Sequence, residues 1–217
     1  MKTKLTPELA EFIGMHIGDG TLYKTNSKSL VWEQRGDLKE KDYYNQYVFP
    51  LLNKLFGLEK KPKFRSGGKN GCYGIQTCNK KLINTLIEFG IKSGKKRRIR
   101  VPEEIRNATN PIKQAFLRGY FDTDGCMRFE RINKKTIADY PKIEFSSISE
   151  HLRDDVCFLL EQIDIKSNKW DIKRESGNPE FKICISGKNR VFSWMNHISS
   201  NNPKHLKKFS KLLVLEG

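Results

Sequence analysis

The stretch FLRGYFDTDG, Phe116–Gly125, has apolar residues at helical spacing, small residues where bulk would normally pack, and an acid at its end. The carbonyl end of a helix carries partial negative charge and disfavours an acid there, so Asp124 needs a reason. Part of it lies 105 residues earlier, in EFIGMHIGDG, Glu11–Gly20. There Ala10, Gly14 and Gly18 lead into Asp19-Gly20; in the later stretch Ala115, Gly119 and Thr123 lead into Asp124-Gly125. Positions i, i+4 and i+8 form one stripe of a helix. A helical Gly costs roughly 1 kcal/mol against Ala, which makes sense where a second backbone must come close. Thr6 with Pro7, and Asn110 with Pro111, read as N-cap and first helical position of the two helices. Gly20 and Gly125 read as their C-terminal caps.

The likeness continues downstream. After the first helix the pattern predicts strands near 21–26 and 29–35, a helix near 39–56, strands near 61–66 and 72–78, and a helix near 79–90. After the second come strands near 126–132 and 141–147, a helix near 149–163, strands near 168–175 and 180–186, and a helix near 187–199. The fold class is α+β, built from two αββαββα repeats. The first repeat spans 1–92, a basic linker 93–110, and the second repeat with an extra C-terminal helix 111–217. Packing the two small-faced helices against each other about a pseudo-two-fold axis brings Asp19 and Asp124 together at one end.

The chain of 217 residues carries 41 Lys+Arg against 25 Asp+Glu, a net charge of +16. An excess of that size suits a polyanion, with nucleic acid ahead of an anionic membrane; no strongly basic amphipathic helix supports the membrane option. No apolar run approaches the ~20 residues that span a bilayer. The five cysteines (72, 78, 126, 157, 184) show neither CxxC nor zinc spacing. With an N-terminus, MKTKLTPELAEF, that lacks a signal-peptide core, they imply reduced thiols in an intracellular, reducing compartment.

One Asp-Gly pair is a common turn. Two such pairs, brought together at helix carbonyl ends, repel each other. Divalent cations compensate that arrangement, and hard oxygen donors suit Mg²⁺; the free carbonyls at the helix ends are further ligands. Paired metal-binding acids on a strongly basic chain point to phosphodiester hydrolysis.

These residues also carry a resemblance. FIGMHIGDG (12–20) and LRGYFDTDG (117–125) resemble the two copies of the LAGLIDADG motif, and nearly the whole chain resembles the single-chain, two-motif LAGLIDADG homing endonucleases. The resemblance implies two antiparallel four-stranded sheets forming a saddle over a long duplex DNA site. It implies a monomer that cleaves both strands across the minor groove, with Mg²⁺ held by Asp19 and Asp124. Mn²⁺ is expected to substitute, and Ca²⁺ to bind without supporting cleavage. The small residue before each acid is matched by Gly18 and, less closely, by Thr123. A Gln or Lys near the end of the second strand often stands by the water; Gln34 fits, with Arg35 beside it, and Ser146 or Ser147 stands at the corresponding place in the second half. A basic residue usually lies near each scissile phosphate, leaving Lys95, Lys96, Arg97, Lys204 and Lys207 as candidates. Asp122 is read as structural, because its counterpart is Ile17, and His16 as a packing residue.

Strand alternation supplies the DNA-reading candidates: Lys24, Lys63, Arg65, Gln76, Arg128, Glu130, Arg131 and Lys182 with Cys184 and Ser186. In DIKRE they are Lys173 with Asp171 or, in the other register, Arg174. Mixed Arg, Gln, Glu and Ser suit base edges in the major groove. The alternative is a nucleic-acid-binding protein of the same fold that does not cleave, such as an RNA maturase acting on intron RNA or a DNA-binding regulator. Both motif acids are present, which favours the nuclease.

Overall fold

The computed structural model describes residues 3–66, 71–94, 96–131, 138–173 and 179–214. In the first repeat α1 (Pro7–Gly18) leads into β1 (Gly20–Lys24) and β2 (Leu30–Asp37). A helical run follows as a 3₁₀ turn (Leu38–Glu40), α2 (Lys41–Tyr43), a π turn (Tyr44–Val48) and α3 (Phe49–Phe56). Then come β3 (Lys63–Arg65), β4 (Cys72–Thr77) and α4 (Lys80–Glu88). The connecting segment holds a 3₁₀ turn (Lys96–Arg98) and α5 (Glu103–Arg106). The second repeat runs α6 (Asn110–Asp124), β5 (Gly125–Glu130), β6 (Tyr140–Ser147), α7 (Glu150–Gln162), β7 (Asn168–Lys173), β8 (Pro179–Ser186) and α8 (Lys188–His197), with α9 (Pro203–Val214) after it. The strands form two antiparallel sheets, ordered β1-β2-β4-β3 and β5-β6-β8-β7. The fold is α+β with two copies of one unit.

The small-residue stripes do what their spacing demands. A Cβ on Gly14 would lie 2.1 Å from the Phe116 carbonyl oxygen, and one on Gly119 would lie 2.0 Å from that of Glu11. Both obstacles are backbone, so α1 and α6 meet main chain to main chain. Ala10 and Ala115 are buried on the same seam. A polar cluster locks it: buried Glu11 accepts from Arg118 Nη2 (2.6 Å), Tyr47 Oη (2.6 Å) and Asn201 Nδ2 (2.8 Å). Arg118 in turn donates to the Ile198 carbonyl. The seam thus ties α6 to α1, to the π turn and to the segment after α8.

One cap expectation holds and the others change. Thr6 caps α1 through its side chain, accepting from Leu9 N–H at 3.2 Å. In α6, however, Asn110 is already helical and Thr109 holds the cap position, without a side-chain bond. Gly20 and Gly125 are not left-handed caps; Gly125 is extended, with φ −83° and ψ 158°. Glycine is required there by crowding: a Cβ on Gly20 would lie 2.6 Å from His16 Cα, and one on Gly125 2.6 Å from the Phe121 carbonyl oxygen. Each strand leaves its helix too tightly for a side chain.

Candidate active site

Both motif helices end on their aspartate. Asp19 closes α1, its N–H donating to the Met15 carbonyl, and Asp124 is the last residue of α6. The ends are adjacent: a Cβ on Gly18 would lie 2.1 Å from Thr123 Oγ1 and 3.2 Å from Asp124 Cβ. Thr123 Oγ1 is itself spent on its own helix, donating to the Gly119 and Tyr120 carbonyls. Burial, repulsion from Asp124 and repulsion from Glu40 push Asp19 up to about 6. Burial likewise raises Asp124, against the pull of Lys96, Lys204 and Lys182. Two carboxyl groups therefore sit together in a place that penalises their charge.

Among the described residues Lys96 and Lys204 act on both members of this pair. Lys96 Nζ donates to the carbonyls of His16 (2.9 Å), Ile17 (3.0 Å) and Gly18 (2.5 Å), filling the open end of α1. Burial lowers it to about 8 although both aspartates oppose that shift. Lys204, from the start of α9, is bound to Glu40 Oε1 at 2.8 Å. Of the basic candidates near the acids, the structure brings Lys96 and Lys204 to the site. Arg97 and Lys207 are exposed, and Lys95 lies outside the described residues. Glu40 went unnoticed in the sequence because DLKE (37–40) reads as a capping box. It is one, its Oε2 accepting from Asp37 N–H, and its other oxygen holds Lys204 and Asn202.

The two half-sites differ. Gln34 pairs across from Gly20, directly after Asp19, and is fully buried with neither carboxamide atom hydrogen-bonded. Tyr44 lies beside it, its phenol pushed up by burial and by Asp19. In the second repeat the residue across from Gly125 is Phe145, stacked on Tyr120 with ring centroids 5.2 Å apart. The counterpart of Gln34 is thus Phe145, not Ser146 or Ser147; Ser146 matches Arg35. A cleft of about 270 Å³ opens beside Asp124, bordered by Gly18, Lys96, Ser146 and Glu180. Lys182 donates to Ser146 Oγ at 2.6 Å and pairs with Glu180 at 2.8 Å.

Asp122 is buried, and burial raises it to about 7. It accepts from Ser200 Oγ and from Asn201 N–H (2.8 Å), while its own carbonyl accepts from Asn202 Nδ2 (2.8 Å). It anchors the segment that delivers Lys204, a task with no equivalent at Ile17. His16 is a core residue: Trp32 Nε1 donates to its Nδ1 at 3.0 Å, and burial pushes it down to about 3.

On the sheet faces turned away from the helices, the first repeat sets Tyr23, Glu33, Arg35, Gln76, Lys63 and Arg65 in register. They form a network: Gln76 Nε2 donates to Tyr23 Oη (2.6 Å), Tyr23 to Glu33 (3.3 Å), and Arg35 and Arg65 both pair with Glu33. The second repeat sets Arg128, Lys142, Glu144, Cys184, Ser186, Ser146 and Lys182 on the matching face. There Arg128 pairs with Glu144 (2.6 Å) and Glu130 (2.8 Å). Lys24 instead shares the helix-side face with Leu22 and Trp32. Lys173 lies on the helix side too, with Asp171, which binds Arg153 from α7. Trp170 and Ile172, exposed at 40% and 38%, take the outward positions on β7, the second of the two registers that the sequence left open. Arg131 follows β5 and is exposed, and Arg174 lies outside the described residues.

Among the described residues no group of three or more His, Cys, Asp or Glu forms a ready metal cage. The donors present are two carboxylates, helix-end carbonyls and an orphaned buried carboxamide. All are hard oxygen or amide donors, the set that suits a Mg²⁺-like ion retaining water and sharing substrate phosphates. The residues fit such an ion.

Residues 111–213 match the LAGLIDADG-like domain family, and the first repeat has the same fold and a motif helix of its own. The second repeat carries a LAGLIDADG-like domain. Its fold is that of the homing endonuclease I-DmoI, solved in complex with DNA and Mn: the TM-score is 0.63 at 18% identity, covering 90% of this chain and 98% of that one. Two curated relatives come from Methanocaldococcus jannaschii. A replication factor C small subunit is 26% identical over 211 residues, 97% of this chain but 10% of that protein. A glutamine–fructose-6-phosphate aminotransferase is 28% identical over 214 residues, 96% of this chain and 18% of that protein. The chain thus spans a tenth to a fifth of the length of these relatives.

Proposed function

We propose that this protein is a site-specific endonuclease that cuts both strands of duplex DNA as a monomer, using Mg²⁺. The observation that carries the reading is the juxtaposition of half-buried Asp19 and solvent-exposed Asp124 at the joined ends of α1 and α6, both held above the ordinary carboxylate range by partial desolvation. A pair built for stability alone would not be placed where its charge is opposed. Support for duplex DNA comes from the basic chain, from outward sheet faces of mixed Arg, Gln and Glu, and from I-DmoI, which shares the fold and was solved with DNA. The two curated relatives have activities unrelated to each other, and the shared segment is a small part of each. That favours an activity belonging to the segment itself.

Each half-site divides the work among its residues. Asp19 and Asp124, with the Gly18 and Thr123 carbonyls, would hold the divalent ion; when bound, it supplies positive charge at the phosphoryl group and acidifies water. The Gln34 carboxamide, set between Tyr44 and the Asp19 end of α1, orients the attacking water on the Asp19 side. Lys204 and Lys182 are placed to face phosphate oxygens, and Arg35 lies next to Gln34 on β2. The net change is hydrolysis: water oxygen joins phosphorus, the phosphorus–O3′ bond breaks, and the 3′ oxygen takes a proton.

The test is incubation of the full chain with the uninterrupted host-gene sequence of its own locus, with Mg²⁺ and with EDTA. Linear product of one defined length in Mg²⁺ alone supports the reading. Retarded but uncut DNA under both conditions identifies a binder and overturns it.

A further inference from the structure

The end of α1 is closed by a charge from far along the chain. A lysine ammonium has three donors, and Lys96 spends all three on the carbonyls of His16, Ile17 and Gly18. These belong to the last helical turn, whose carbonyls have no partner within the helix. The connecting segment is anchored just beyond the lysine by α7 and its N-cap. Ser149 Oγ donates to the Ile99 carbonyl at 2.7 Å, and Asp155 accepts from Arg100 Nη2 (3.0 Å) and from Val101 N–H (3.1 Å). Among the described residues the end of α6 is closed without a cation: the Asp122 carbonyl accepts from the neutral Asn202 carboxamide, and Gly125 N–H donates to the Phe121 carbonyl.

We infer that Lys96 is an internal cation that stands in for the divalent ion at the α1 end, and that it must release the Gly18 carbonyl before an ion can take that oxygen. The inference rests on the metal-site reading of Asp19 and Asp124. An ammonium and a Mg²⁺-like ion seek the same oxygens, and Lys96 faces the same two carboxylates. With all three donors engaged, Lys96 has none to offer a phosphate while it stays in place. Metal loading at the first half-site is therefore coupled to movement of the connecting segment, whereas among the described residues no lysine is bonded to the Thr123 carbonyl.

The experiment is thermal melting of the DNA-free full chain in EDTA and in millimolar Ca²⁺, for the parent, Lys96→Met and Lys96→Gln. Loss of the ammonium leaves helix-end carbonyls unpaired and the acids facing each other. Both variants should melt several degrees below the parent in EDTA, Lys96→Gln less so because its carboxamide keeps two donors. Ca²⁺ should raise both by clearly more than it raises the parent, and Asp19→Asn in the Lys96→Gln background should abolish that response. A Ca²⁺ response in Lys96→Gln no larger than the parent's, including no response in either, overturns the inference. If Lys96→Met does not fold, Lys96→Gln carries the test alone. Cleavage by the parent is scored separately: a parent that binds but never cuts DNA refutes the endonuclease reading, not a Ca²⁺ response created by removing Lys96.

Discussion

Removing the negative charge of Asp19 should make the metal-free protein more stable while destroying its activity. An aspartate in an unfolded chain titrates near 3.9; in the fold Asp19 is pushed up to about 6, mainly by burial and then by Asp124. The folded carboxyl therefore holds its proton more tightly than the unfolded one. Stability falls as pH rises from about 4 through about 6, and above that window the full deficit persists. A shift of about two units corresponds to about 3 kcal/mol at neutral pH. Asp19→Asn keeps the shape and removes the charge. For a chain of this size 1 kcal/mol moves the melting temperature by about 2–4 °C, so the variant should melt about 5–10 °C above the parent at pH 7.5 in EDTA. The gap should close as pH is lowered towards 4, because the parent then carries the proton too. Mg²⁺ or Ca²⁺ should narrow it from the other side, by stabilising only the parent. A variant that melts at or below the parent at pH 7.5, or a gap that ignores pH, would show that Asp19 is not held against its charge, and the metal-site argument would lose its footing.

Other consequences are quicker to check. Gly119→Ala drives a methyl into the Glu11 carbonyl across the seam, and should lower stability by about 2 kcal/mol or more in denaturant melts; an unchanged midpoint would contradict the close packing. Asp122→Asn should cut nearly as fast as the parent, since Asp122 is raised to about 7 and its role is to accept from the 200–201 segment; a dead but folded Asp122→Asn would make it a working acid. Binding to duplex target should weaken with salt, at a slope of roughly −0.9 per phosphate neutralised, and a flat response in a filter or polarisation assay would remove the case for phosphate contacts. Gln34→Ala should slow the cut of one strand and not the other, seen as nicked plasmid accumulating before linear product, because its counterpart is the buried Phe145; equal slowing of both strands would refute the water-orienting role.

What could be seen in the sequence was whatever repeats. Two stripes of small residues ending in an acid, each followed by alternation and then helical spacing, require one arrangement of α1 against α6, because only that arrangement makes bare glycines useful. Pairing the strands by the same rule was less secure. A six-residue strand exposed on both faces, such as β7, has no buried face to set its register. The sequence therefore leaves both registers open, and pairing with β8 selects the one that turns Trp170 outward and Lys173 to the helix side. Counting along β6 to find the partner of Gln34 fails for a related reason: the partner is set by pairing across from Gly125, and that residue is a phenylalanine, chemically unlike what a symmetric site would lead one to seek.

The contacts with no sequence signal are those that join the two repeats, even where the residue itself, Lys96 or Lys204, stands among the basic candidates. Lys96 reaches back to α1 across 78 residues, and Asn202 and Lys204 reach back to Glu40 across more than 160. No local periodicity encodes such contacts. They are also where pseudo-symmetry breaks: the segment after the first repeat closes its helix with a charge, and the segment after the second does so with an amide while bringing its lysine to the other repeat's Glu40. Asp122 falls into place on the same account. It has no acidic twin because only the second repeat is followed by a segment that needs an anchor at that depth, through Ser200 and the Asn201 N–H. An acid that fails to repeat in a repeated motif is, in this fold, a sign of the joint between halves rather than of the chemistry they share.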